Sequence, residues 1–124
     1  MIIIAALGFL TLAGCNNNHH SQVRKFKQTA EKTNRSCPTR MNETITLDST
    51  RYDEKDNAVS YFYSVTGELD NAIYMNTHYA TFKQALQDAV DNSVEMEEYR
   101  KAECSIKYIY ISKKSQSRLA EFSF

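Results

Sequence analysis

The sequence predicts an α+β domain: helix, strand, strand, helix, strand and strand in that order, with an antiparallel sheet and helices packed on one of its faces. Three observations predict it. Val23, Phe26 and Ala30 recur at spacings of three and four, which is one helical stripe. Two alternating segments, up to Tyr52 and again from Ala58 to Thr66, flank a charged turn, as in a hairpin. A second helical stripe, Tyr79, Phe82, Leu86 and Val90, then separates this hairpin from a closing pair of β-rich segments. Strands in pairs with helices between them place the helices over one sheet face and leave the other partly wet.

The chain begins with an apolar run that ends in Leu12-Ala13-Gly14-Cys15 and turns abruptly polar at Asn16-Asn17-Asn18-His19-His20. This junction resembles a bacterial lipobox. In bacterial lipoproteins a small-residue tripeptide precedes a cysteine that receives a diacylglyceryl group, and cleavage leaves that cysteine as the N-terminus. The resemblance implies that residues 1–14 are a signal peptide, that Cys15 is lipidated, and that the protein sits on the periplasm-facing side of an envelope membrane. Asn16 in place of Asp after Cys15 resembles the outer-membrane class of enterobacterial lipoproteins. The run is shorter than the roughly 20 apolar residues that span a bilayer, which suits a signal segment. It departs from the usual pattern in having no Lys or Arg near Met1.

Removal of 14 residues from 124 leaves 110, enough for one core and too few for two. The expected organisation is a lipidated, flexible tether over 15–22 and a single α+β domain over 23–124. The first forty residues hold six basic side chains (Arg24, Lys25, Lys27, Lys32, Arg35 and Arg40) against Glu31 alone, a net +5. A basic segment beside a lipid anchor is attracted to anionic headgroups, although a solvated helix face is the simpler reading of the same charges. The helical stripe is thin, so it needs either the domain or a membrane surface to complete it.

In the first strand Ile45, Leu47 and Ser49 share one side and Thr44, Thr46, Asp48 and Thr50 the other. Asp53-Glu54-Lys55-Asp56-Asn57 forms the turn, and the second strand directs Val59, Tyr61, Tyr63 and Val65 to one face with Phe62 on the other. Asn76 or Thr77 is positioned to cap the long helix, Asp91-Asn92-Ser93 to end or kink it, and Glu95 to Glu103 to add a further acidic turn or two. The core should therefore join Tyr79, Phe82, Leu86 and Val90 to Val59, Tyr61, Ile106 and Tyr108. Cys37-Pro38, Thr46-Leu47-Asp48-Ser49, Tyr61-Phe62-Tyr63 and Tyr108-Ile109-Tyr110 together resemble small uncharacterised secreted bacterial proteins with the same order of elements. That resemblance covers about Val23 to Phe124 and implies the element order, with no activity attached.

Once Cys15 is assigned to lipid, Cys37 and Cys104 remain in a compartment where disulfides form, and a bridge between them is expected. Such a loop would stabilise the fold by roughly 4 kcal/mol on chain-entropy grounds. Zinc is disfavoured, because there is no Cys-x-x-Cys and His19 and His20 belong to the tether. The acidic clusters lack the glycine and alternating ligands of a calcium loop. No metal and no cofactor is expected.

No nucleophile elbow, phosphate loop or His-Glu-x-x-His occurs, and His78 is the lone histidine of the domain. Between Asn42 and Glu103 thirteen acidic residues face five basic ones, net −8, which argues against nucleic acid. The expectation is thus a binding or accessory module of the envelope, not an enzyme, whose partner is another envelope protein or a small ligand. Tyr61, Tyr63, Tyr108 and Tyr110 are its candidate contact residues, unless they are consumed by the core. The alternatives are a small periplasmic hydrolase-like enzyme using His78, and a structural or inhibitory protein.

Overall fold

The computed structural model describes the backbone of residues 2–124 and the side chains of residues 19–124. The lipobox residues, Cys15 included, therefore have side chains outside the described residues. Helix α1 spans Ile2–Arg35 and is followed by strands β1 (Thr39–Arg40), β2 (Ile45–Asp53) and β3 (Ala58–Val65). A 3-10 turn at Gly67–Leu69 leads to helices α2 (Ala72–Thr77), α3 (Tyr79–Asn92) and α4 (Val94–Lys101), then to strands β4 (Ser105–Ser112) and β5 (Arg118–Ser123). The architecture is α+β.

The five strands lie side by side in chain order, β1-β2-β3-β4-β5. Every neighbouring pair is antiparallel except β3 and β4, which are parallel, so the sheet is mixed where a wholly antiparallel one was expected. The reason is the connection. Three helices carry the chain from the end of β3 back to the level of Ala58, where Ser105 begins β4, and a parallel neighbour needs a crossover of about that size. The two-residue β1 has no hydrophobic pattern of its own and was not foreseen. The β2–β3 turn forms as its composition requires: the Asp53 carboxylate accepts from the Lys55 and Asp56 amides, and Asn57 adopts a left-handed φ of 48°.

A bulge between Leu47 and Ser49 alters the alternation in β2. Leu47 still pairs with Tyr63, but beyond the bulge Thr50 pairs with Tyr61 and Tyr52 with Val59. The core side therefore carries Leu47, Thr50 and Tyr52, and Ser49 moves to the opposite face, contrary to the simple two-residue period.

All the helices cover this one face. Val23, Phe26 and Ala30 of α1 are buried with Tyr52, Val59, Tyr99, Ile106 and Phe122 in a single cluster, so the domain completes the thin stripe of α1. Phe26 is 2% exposed, with its ring 5.3 Å from Tyr52 and 4.7 Å from Tyr99. The Asn34 side chain both accepts from the Thr50 amide (2.7 Å) and donates to the Thr50 carbonyl (2.9 Å), acting as a strand partner at the edge of β2. Exposed ion pairs Lys25–Glu98 (2.6 Å) and Lys27–Glu54 (2.9 Å) reach from α1 to α4 and to the hairpin turn. The far face carries rows such as Ser49, Phe62, Ile109 and Glu121.

The helical segment differs from expectation at its start. Asn76 and Thr77 belong to α2, whose N-cap is Asn71, with its side chain accepting from the Tyr74 amide. Helix α3 begins only after His78, and Ser93 ends it and caps α4. Val90 is buried as expected, but Tyr79, Phe82 and Leu86 are only half-buried, because α3 packs chiefly on α2 and α4 and stands off the sheet.

Candidate binding cleft

The tyrosine row predicted for the central strands is present and is split between two environments. Tyr61 pairs with Tyr108 and Tyr63 with Tyr110 across the parallel β3–β4 junction, so all four rings point to the helical side. Tyr63 and Tyr110 stack with centroids 5.1 Å apart and planes 15° from parallel, and Tyr61 lies 5.3 Å from Tyr108. Tyr108 is buried against Phe124 and belongs to the core, which withdraws it as a contact residue. The other three are half-buried.

Tyr61 and Tyr63, with Leu47, form the floor of a cleft of about 770 Å³ that lies between α1 and α4. One wall is the polar flank of α1, from Thr29 and Lys32 to Ser36, and the other is α4, with Val94, Glu95, Met96 and Glu98. Met41, just beyond β1, adds an apolar residue at the rim. Val94 is 82% exposed and Met41 56%, so each presents a large apolar side chain to water at the cleft. This volume falls within the roughly 300–1,000 Å³ of small-molecule pockets, and it mixes apolar area with a few polar groups as such pockets do.

The cleft differs electrostatically between its walls, with Lys32 on α1 facing the acidic Glu95 and Glu98 on α4. Burial pushes the Tyr61 and Tyr63 hydroxyls well above the ordinary phenol range, with neighbouring tyrosines adding to the effect. Burial likewise raises Tyr110 to about 12. These hydroxyls therefore remain neutral donors at any physiological pH. Tyr61 donates to the Met96 sulfur at 3.8 Å. Neither Tyr63 nor Tyr110 has a hydroxyl partner among the described residues, and neither hydroxyl is sealed from solvent, so both can bond to a ligand or to water.

The expected Cys37–Cys104 bridge is not formed: both thiols are free. Cys37 lies just before β1 and Cys104 just before β4, and three inter-strand spacings of about 4.8 Å separate those strands. That is about 14 Å of lateral distance, twice the roughly 7 Å that a disulfide tolerates between Cα atoms. Cys104 is buried in the core, which raises its thiol pKa, and it packs as an apolar residue. The sequence signal that misled was proximity of both cysteines to strand starts; it carried no information about which strands.

His78 sits between α2 and α3, its ring 4.4 Å from Tyr74 and 5.9 Å from Phe82. Among the described residues it has no carboxylate partner, and no group of three or more His, Cys, Asp or Glu is arranged to hold a metal. His19 and His20 are exposed on α1. The cleft residues that sequence reading missed are Met41, Leu47, Val94 and Met96. Met41 and Val94 were detectable as isolated apolar residues inside polar segments, whereas the place of Met96 depends on how α4 lies across the sheet.

Residues 20–120 match the model of a family described as "Domain of unknown function (DUF8479)". The chain belongs to this family. A search among curated proteins matches none. The DUF8479 fold is shared with a solved structure described as a "putative secreted protein" from Pseudomonas aeruginosa, at a TM-score of 0.74 and 16% identity over 85% of this chain and 89% of the other. At that identity the likeness establishes the fold of the DUF8479 domain.

Proposed function

We propose that the protein is an exported, lipid-anchored module of the bacterial envelope that binds an apolar segment of another envelope protein, or a small ligand, in the cleft between α1 and α4, without chemical turnover. The observation that carries this reading is the cleft itself, where Tyr61 and Tyr63 form the floor, the Tyr63 hydroxyl has no partner among the described residues, and the exposed apolar Met41 and Val94 line the opening. Apolar area, aromatic rings and a few hydrogen-bonding groups are sufficient for binding. Catalysis would need an oriented nucleophile or acid–base pair, and His78 has apolar ring neighbours instead. Export is supported by the lipobox-like Leu12-Ala13-Gly14-Cys15 and by the description of the Pseudomonas structure with the same fold. Attachment through Cys15 follows from the same motif.

A photo-crosslinking amino acid placed at Val94 in the native host, with the same group at exposed Ile73 on α2 as the comparison, tests the cleft. Val94 should give a discrete adduct, and Tyr63→Ala should abolish it while the variant still folds. Equal labelling from both positions would refute binding in the cleft. Cys15→Ser should separately abolish fatty-acid labelling and membrane fractionation, and retention of both would refute the anchor.

A further inference from the structure

Beneath α3 lies a second, separate cavity of about 140 Å³. Phe82 and Leu86 of α3 face the sheet residues Ile45, Tyr110 and Phe122 across it, and Met75 of α2 completes the apolar lining. No charged side chain lines it. Tyr110, stacked on Tyr63, lines this cavity while Tyr63 lines the cleft, so the ring pair stands between the two spaces. Close-packed interiors contain few voids larger than one water molecule. Apolar cavities of about 150 Å³, by contrast, stay dry and take up benzene or xenon.

From this size and lining we infer that the cavity is a binding site for an uncharged molecule of about one ring, a monocyclic aromatic or a short branched aliphatic. Three aromatic side chains, Phe82, Tyr110 and Phe122, suit the flat aromatic member of that class. The roof is tied to the sheet at its N-terminal end. Tyr79 at the start of α3 stacks on Phe122 at 4.5 Å, and its hydroxyl donates to the Glu121 carbonyl at 2.7 Å, which spaces this end of the helix from the sheet. Access is provided at Ala85, which lines the cavity and is itself exposed. A small residue at this point leaves the mouth open.

The test is a titration of the full chain with toluene, followed by methyl NMR. The Ile45, Leu86 and Met75 methyls should shift and saturate together, while Val94 and Leu47 in the cleft stay fixed. Ala85→Trp, a change at an exposed position, should weaken the saturable shift at least tenfold. If that variant loses its native amide spectrum, Ala85→Leu provides a milder obstruction. Absence of saturable shifts at the three cavity methyls would overturn the inference. So would shifts confined to Val94 and Leu47, or full binding by a folded Ala85→Trp protein.

Discussion

Replacement of Phe26 by alanine tests whether α1 is an integral part of the domain or a stalk resting against it. Phe26 is 2% exposed, so nearly all of its side chain leaves water on folding. An aromatic residue buries about 150–250 Å², which at about 25 cal/mol per Å² gives roughly 4 kcal/mol at the lower bound. Residual burial in the unfolded chain reduces this by about 10–40%. Edge contact with Tyr52 and tilted contact with Tyr99 restore about 0.5–1.5 kcal/mol each. The expected loss is therefore about 3–5 kcal/mol, the range of buried Phe→Ala changes. Urea unfolding followed by circular dichroism, or by tyrosine fluorescence since the chain has no tryptophan, measures it. Arg24→Ala, exposed on the same helix, should shift stability by no more than about 0.5 kcal/mol. A Phe26→Ala loss below about 1 kcal/mol would show that α1 does not belong to the core.

The remaining predictions concern thiols, tyrosines and one cap. Cys37 should react with a thiol reagent in the native protein and Cys104 only after unfolding, and a disulfide-linked peptide pair in mass spectrometry would contradict the geometry. Alkaline pH should destabilise the fold, because the folded pKa values of the buried tyrosines lie above the unfolded value near 10. Their contribution is fully present below about pH 10 and is lost as pH rises toward about 12 through Tyr110, because the unfolded chain releases protons that the native state retains. A flat denaturation midpoint across that interval would refute the burial of these hydroxyls. Glu103, with φ 55°, occupies the left-handed position at the end of α4, where the Cys104 amide bonds the Tyr99 carbonyl. Glu103→Gly should raise stability by about 1 kcal/mol, and a loss of similar size would contradict that backbone.

Local pattern carried the elements that bury a regular stripe. The α1 triplet, the β2–β3 hairpin, the break at Ser93 and the two closing strands all follow from period and turn chemistry. Two kinds of feature did not. One is irregularity: the bulge after Leu47 moves Thr50 and Tyr52 to the core face, and nothing in a two-residue alternation announces an added residue. The other is pairing. Whether β4 joins β3 in parallel is decided by the length and path of the helices between them, and the disulfide expectation failed for the same reason. Cys37 and Cys104 each lie just before a strand, but those strands are three places apart in the sheet. The tyrosine row was legible as a row, while its division into the buried Tyr108 and the more open Tyr61, Tyr63 and Tyr110 depends on where the helices leave gaps.

Packing of α1 also decides between two roles that its sequence left open. Val23, Phe26 and Ala30 are the whole apolar stripe of its described C-terminal half, and the domain buries all three. That stripe cannot also enter a bilayer surface. Two of its basic residues, Lys25 and Lys27, are turned inward in charge to Glu98 and Glu54, which leaves Arg24, Lys32 and Arg35 without such pairs among the described residues. Exposed pairs of this kind contribute only about 0–1 kcal/mol each, so their effect is to orient more than to stabilise. Any attraction of this helix to anionic headgroups therefore rests on three charges, at roughly 1 kcal/mol per residue near the surface, and would add to the proposed lipid at Cys15 without replacing it. Lys32 is also a wall residue of the cleft. If the proposed anchoring and cleft binding both hold, a membrane approaching along α1 and a partner entering the cleft would compete for Lys32, so Lys32→Ala would be expected to affect both.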